Sequence, residues 1–212
     1  MKRNNVSLVI GLGLVLLGGL LLMQTMNIVS LNWDLVWPVL FGLGGLAFLT
    51  VFFSDHEQWW SIIPGFTLLG LAALIGLSIV AGEVGGAIGA GVFMGSIALA
   101  FWVIYILRRS FWWAVIPAGT LTTLAVIIVL SNFRLTERFS GGVFFLGLAL
   151  TFLMVALLPT PEGRMRWAFY PAAALLALSL IVFIAVSSIF NYIWPVALIA
   201  GGVFLLLSIR KQ

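Results

Sequence analysis

Trp59-Trp60-Ser61-Ile62-Ile63-Pro64-Gly65 comes back twice further along the chain. It returns as Trp112-Trp113-Ala114-Val115-Ile116-Pro117-Ala118 and as Arg166-Trp167-Ala168-Phe169-Tyr170-Pro171-Ala172, with the three prolines 53 and 54 residues apart. Proline has no amide hydrogen to donate. In the first turn of a helix that amide has no intrahelical acceptor, so proline is tolerated there and not further in. Indole rings favour the headgroup level of a bilayer. An aromatic residue followed within a turn or two by proline therefore reads as the place where a helix starts into the membrane.

Between these starts lies a second series: Trp37-Pro38-Val39, Ala90-Gly91-Val92, Gly141-Gly142-Val143 and Trp194-Pro195-Val196, at steps of 53, 51 and 53 residues. The segments from Gly91 and Gly142 also share Gly-Val-Phe. Each then has Ala-Leu-x-Phe at the same offset, Ala98-Leu99 with Phe101 and Ala149-Leu150 with Phe152. The expected unit is a two-helix hairpin of about 53 residues, present four times over 6–53, 59–107, 112–158 and 166–208. Two spans per unit give every unit the same orientation, hence parallel repeats about an axis along the membrane normal.

Composition fixes the solvent. Of 212 residues, 63% are hydrophobic and 8% charged, against about 25% charged in a soluble domain. The apolar blocks are unbroken rather than alternating, which predicts helices and not barrel strands. The fold class expected is all-α integral membrane: one polytopic domain over 1–212 with eight transmembrane helices. They fall near 6–23, 37–53, 62–80, 90–107, 114–130, 141–158, 168–187 and 193–208, each close to the ~20 residues that cross the hydrocarbon. The stretch Val6–Met23, preceded by Lys2 and Arg3, is read as an uncleaved first helix. It is long for a signal sequence, and no small-x-small cleavage site follows it.

Basic residues orient the chain. Eight crossings put Lys2, Arg3, Arg108, Arg109, Arg164, Arg166, Arg210 and Lys211 on one side and only Arg134 and Arg138 on the other. By the positive-inside rule both termini are then cytoplasmic. The tryptophans fit the same map as interfacial anchors: Trp33, Trp37, Trp59, Trp60, Trp112, Trp113, Trp167 and Trp194 at predicted helix starts, and Trp102 shortly before Arg108.

Chemistry is sparse. An ionisable group within a membrane usually marks function, yet Asp34, Asp55, Glu57, Glu83, Glu137 and Glu162 all fall between predicted spans. The absence of cysteine removes disulfides, thiolate metal ligands and a thiol nucleophile. The one histidine, His56, lies in Ser54-Asp55-His56-Glu57-Gln58; three adjacent residues without further ligands read as a solvated loop rather than a metal site. One histidine also cannot supply a haem with two. The run Gly82-Glu83-Val84-Gly85-Gly86-Ala87-Ile88-Gly89-Ala90-Gly91 follows no strand, so it reads as a flexible turn leading into a close-packed helix rather than a phosphate loop. The hydroxyls of Thr67, Ser78, Ser96, Thr120, Thr122, Thr123, Thr151 and Ser179 are expected to bond backbone carbonyls or neighbouring helices. Thr120, Thr122 and Thr123 could instead line a polar path. No cofactor, metal or catalytic residue is expected, and no nucleic acid.

The first hairpin resembles a known family. Gly11-Leu12-Gly13-Leu14-Val15-Leu16-Leu17-Gly18-Gly19-Leu20-Leu21-Leu22-Met23, a short polar turn, and Asn32-Trp33-Asp34-Leu35-Val36-Trp37-Pro38-Val39-Leu40-Phe41-Gly42-Leu43-Gly44 are similar to the membrane region of LiaF-type bacterial envelope-stress proteins. Asn191-Tyr192-Ile193-Trp194-Pro195-Val196 repeats the second half. The resemblance implies a bacterial cytoplasmic membrane and a link to envelope-stress signalling. Proteins of that type also carry a soluble β-rich C-terminal domain, which is not expected after Ile209-Arg210-Lys211-Gln212. The function expected is a non-enzymatic membrane scaffold or accessory subunit. Its partners are the lipid bilayer and a membrane protein or second copy of the chain. The alternative is a carrier or channel for a small neutral or apolar solute or lipid.

Overall fold

The computed structural model describes residues 18–19, 22–23, 25–26, 33–131, 139–160, 163–186, 195–196 and 198–203. The chain divides into two units, 1–37 and 38–212. In the first, the described residues around Gly18 and Met23 are helical, and the Met26 N–H donates to the Leu22 carbonyl at 3.0 Å.

Five helices among the described residues are long and apolar enough to cross a membrane, as in a multi-pass membrane protein. They are α1 (Trp33–Ser54), α2 (Ile62–Leu107), α3 (Val115–Ser131), α4 (Ser140–Leu157) and α5 (Phe169–Val186). The eight predicted helices and four repeats are not all present in this set. The predicted helices at 6–23 and 193–208 lie largely outside the described residues, as do Lys2, Arg3, Arg134, Glu137, Arg138, Glu162, Arg210 and Lys211.

The predicted helices at 62–80 and 90–107 run as one element, α2, which is not straight. Gly82 has φ 58° and ψ −135°, a conformation that only glycine adopts without strain. Beyond it the chain folds back on itself. A Cβ on Gly85 would collide with the Leu77 carbonyl oxygen, and one on Gly89 would lie 2.9 Å from Leu74 Cα. A Cβ on Gly70 would collide with Ser96 Oγ. In a straight helix, residues 74 and 89 would be about 22 Å apart. These pairs run in opposite directions, so α2 is two antiparallel arms, 62–81 and 83–107. The flexible turn expected in the run Gly82–Gly91 is a reversal at one residue, Gly82, and the close-packed helix expected to follow it is the second arm, whose Gly85 and Gly89 lie against the first.

Each helix of the second unit packs antiparallel on its sequence neighbour through small residues. Between α1 and the first arm of α2, a Cβ on Gly45 would sit 2.8 Å from Leu69 Cγ and 2.9 Å from the Gly65 carbonyl oxygen. Between the second arm and α3, Gly91 meets Val129 and Gly95 meets Ala125. Between α3 and α4, Gly119 meets Thr151 and Thr123 meets Gly147. Between α4 and α5, Gly142 meets Phe183. In lipid there is no hydrophobic drive between helices, so close backbone approach supplies the association. A two-residue antiparallel ladder, β1 (Pro159–Thr160) with β2 (Gly163–Arg164), adds a small exception to the all-α expectation, pairing Pro159 with Arg164 and Thr160 with Gly163.

Candidate functional site at the aromatic end

The buried core of the second unit gathers at one end. It includes the last turns of α1, α2 and α4 (Phe52, Ile104, Tyr105, Val155, Ala156), the first residues of α2 and α3 (Ile62, Val115) and the residues just before α3 and α5 (Ala114, Ala168). Three 3-10 turns stand here, Trp59–Ser61, Trp112–Ala114 and Arg166–Ala168, and each runs directly into its α-helix. Their local geometry is the same. The residue before each turn (Gln58, Phe111, Met165) has φ between −79° and −87°. The last residue of each (Ser61, Ala114, Ala168) is fully buried. Each donates its N–H to the carbonyl three residues back, at 3.0 Å. Pro64, Pro117 and Pro171 are each the third residue of the following helix, where a missing N–H costs nothing.

The tryptophans interlock rather than stand apart as separate anchors. Trp59 meets Trp113 edge to face with centroids 6.2 Å apart at 65°. Trp112 meets Trp167 at 6.3 Å and 67°. The tryptophan at the first position of one start motif thus packs on the tryptophan at the second position of the next, twice, with one geometry. Edge-to-face pairs of this kind contribute about 0.5–1.5 kcal/mol each beyond their buried area. The doubling of tryptophan in the first two motifs is the sequence signal for this contact.

Charged groups ring this end. Arg108 Nη2 donates to Glu57 Oε2 at 2.8 Å and to the His56 carbonyl at 3.4 Å. Asp55 accepts from the Glu57 backbone N–H at 3.0 Å and from Gln58 Nε2 at 3.4 Å. The His56 ring lies 5.0 Å from that of Phe52. Among the described residues no group of three or more His, Asp and Glu could hold a metal ion. A shallow pocket of about 160 Å³ lies between Phe52, Trp59, Leu107 and Arg108.

All eight singled-out hydroxyls find carbonyls. Thr67, Thr120, Thr122, Thr123 and Thr151 donate one turn back to Ile63, Ile116, Ala118, Gly119 and Gly147, at 2.7–2.9 Å. Ser78 and Ser96 donate three residues back. Ser179 reaches across to the Gly142 carbonyl at 2.9 Å. Of the three threonines considered for a polar path, Thr123 packs on Gly147 and Thr122 accepts the Trp102 indole N–H at 3.1 Å.

Two grooves open on the outer surface. One, of about 470 Å³, lies between the second arm of α2 and α3, with Gly95, Ala98, Leu99, Trp102, Thr122 and Ala125 along it. The other, of about 300 Å³, lies between α4 and α5 beside Ala149, Leu150, Leu153, Ala172 and Leu176. No protein-family model, curated protein or solved structure matches the chain.

Proposed function

We propose that this chain is a non-enzymatic scaffold or accessory subunit of the bacterial cytoplasmic membrane. In this reading it has four tandem hairpins, eight crossings and cytoplasmic termini. The observation that carries the reading is the way the hydroxyls are used. On the described helices the charged side chains are Asp34 in the first turn of α1 and Glu83 beside the reversal in α2, and every singled-out hydroxyl is committed to a carbonyl of its own or the adjacent helix. Hydroxyls placed in this way serve to pack helices together rather than to bind an ion or move a proton. The repeat is supported by matched contacts one unit apart: Trp59 on Trp113 with Trp112 on Trp167, and Gly42 on Ala72 with Gly95 on Ala125. The link to envelope stress rests on the resemblance of the first hairpin alone.

Purification from native membranes in a mild detergent after brief crosslinking tests the reading. The expected product is a stoichiometric membrane-protein partner or a homo-oligomer. A stable monomer without a partner counts against it. A carrier for an apolar solute or lipid is a second reading, and the two grooves favour it over a polar channel. Counterflow of a labelled lipid in proteoliposomes would support the carrier and displace the scaffold.

A further inference from the structure

In two successive hairpins the second helix covers one face of the first in the same register. Gly70 on the first arm of α2 meets Ser96 on the second arm. The positions 53 and 51 residues further on are Thr123 of α3 and Gly147 of α4, and these meet as well. Continued by the next steps of the two series, 54 and 53 residues, the register arrives at Ala177 of α5 and at Ala200. A second position on the first helices runs through Phe66, Gly119 and Ala173 in the same way. Gly70 is buried, and Phe66, Gly119 and Thr123 are half-buried, whereas Ala173 and Ala177 are exposed. Leu180, exposed too, continues their spacing of four and three residues, which is one face of a helix. On the side toward α4, Ala172 and Ser179 are buried. Helix α5 is thus covered on one side and open on the side that its two predecessors have covered. Residues 195–196 and 198–203 are helical and, apart from half-buried Pro195, exposed. Within them Ala200 holds the place of Ser96 and Gly147, and Gly202 that of the buried Ala98 and Ala149.

We propose that the open face of α5 is the seat of the chain's own segment 195–203, which lies antiparallel along it with Ala200 against Ala177. A close crossing in lipid needs a small residue on at least one side. The pairs Gly70–Ser96 and Thr123–Gly147 meet that need, and Ala177–Ala200 meets it from both sides. Neither α5 nor the segment carries a charge, so no ionised group has to be buried when they join. Tether length favours the chain's own segment over a second copy. Eight residues, 187–194, separate Val186 from Pro195. Eight also separate Ser131 from Ser140, and the helices that those two residues bound pack on each other. A tether of that length holds the segment at an effective concentration on the order of millimolar. The proposal rests on the four-hairpin reading and supplies the register in which the fourth hairpin closes.

The chain has no cysteine, so a single pair can be introduced into the full-length protein. Ala177→Cys with Ala200→Cys is oxidised in native membranes, and the bridged peptide is quantified by mass spectrometry after digestion. Thr123→Cys with Gly147→Cys, at positions in contact in the structure, sets the full yield. Leu176→Cys with Ala200→Cys sets the background, because Leu176 lines the groove toward α4. The test pair is expected to bridge as fully as the first reference and about tenfold more than the second, since a disulfide needs β-carbons within about 4.5 Å. Bridging at the background level overturns the proposal. Chains carrying Ala177→Cys alone, co-expressed with chains carrying Ala200→Cys alone, are expected to give no covalent dimer above background. A dimer would place a second copy's segment on the face and overturn the proposal equally. A cysteine at Lys211 separates the two failures. If it reacts with an impermeant maleimide only after lysis and the test pair does not bridge, the docking alone is refuted. If it reacts from outside intact cells, the eight-crossing reading falls.

Discussion

Ser96 occupies the space that a side chain on Gly70 would need. One hairpin later the corresponding positions are Thr123 and Gly147, and the roles are exchanged: the hydroxyl residue stands on the first helix and the glycine on the second. Contact is kept while the bulk changes sides. A close helix crossing needs one small partner and does not specify which.

That exchange predicts strong coupling. Gly70→Ser alone overpacks the crossing and costs about 1–3 kcal/mol. Gly70→Ser combined with Ser96→Gly recovers most of the loss, giving an interaction energy of about 1 kcal/mol or more in a double-mutant cycle. Reversible unfolding in mixed micelles measures it, and additive losses would refute the pairing.

The two tryptophan pairs should behave alike. Cycles built from Trp59→Leu with Trp113→Leu, and from Trp112→Leu with Trp167→Leu, should each return about 0.5–1.5 kcal/mol of coupling. A cross pair such as Trp59 with Trp167 should return none beyond about 0.3–0.5 kcal/mol.

Glycine substitutions should divide by backbone rather than by burial. Gly82→Ala forces a β-carbon onto a positive φ and should cost about 1–3 kcal/mol, although nothing lies within 4 Å of the added carbon. Gly76→Ala also meets nothing within 4 Å. It sits inside a helix, so it should stabilise by up to about 1 kcal/mol. Thermal unfolding of the two single variants gives the comparison, with opposite signs expected.

The Glu57–Arg108 ion pair should matter little. Glu57 is 82% exposed and Arg108 30%, so Glu57→Gln should change stability by no more than about 1 kcal/mol, less in high salt. A larger loss would mean that the pair is shielded from water by something bound over it.

Topology is directly testable because the chain has no cysteine of its own. A cysteine placed at Asp34 is expected to react with an impermeant maleimide added outside intact cells, and one at Arg109 only after lysis. The reverse pattern would invert the orientation.

Much of the architecture was legible because membrane helices are marked by composition and started by chemistry. Pro64, Pro117 and Pro171 put three starts where the structure has them, since a first-turn proline is a local constraint that packing does not override. The bonding of Thr67 or Ser179 to carbonyls was legible for the same reason: a hydroxyl in an apolar setting has few other acceptors. A turn after residue 80 was legible, but its length was not: several glycines in a row imply freedom, and nothing local says that Gly82 alone turns the chain while Glu83 already begins the next helix. The interlock of Trp59 with Trp113 also escaped, because an interfacial anchor and a packed ring have the same sequence signature until the neighbouring helix is in place.

The reversal at Gly82 has a bearing on how this chain is made. A single residue between the arms leaves no polar linker long enough to rest in water on the far side. In the spanning reading the two arms are expected to enter lipid together as a pair, and a protease on that side is offered only the one-residue turn at Gly82.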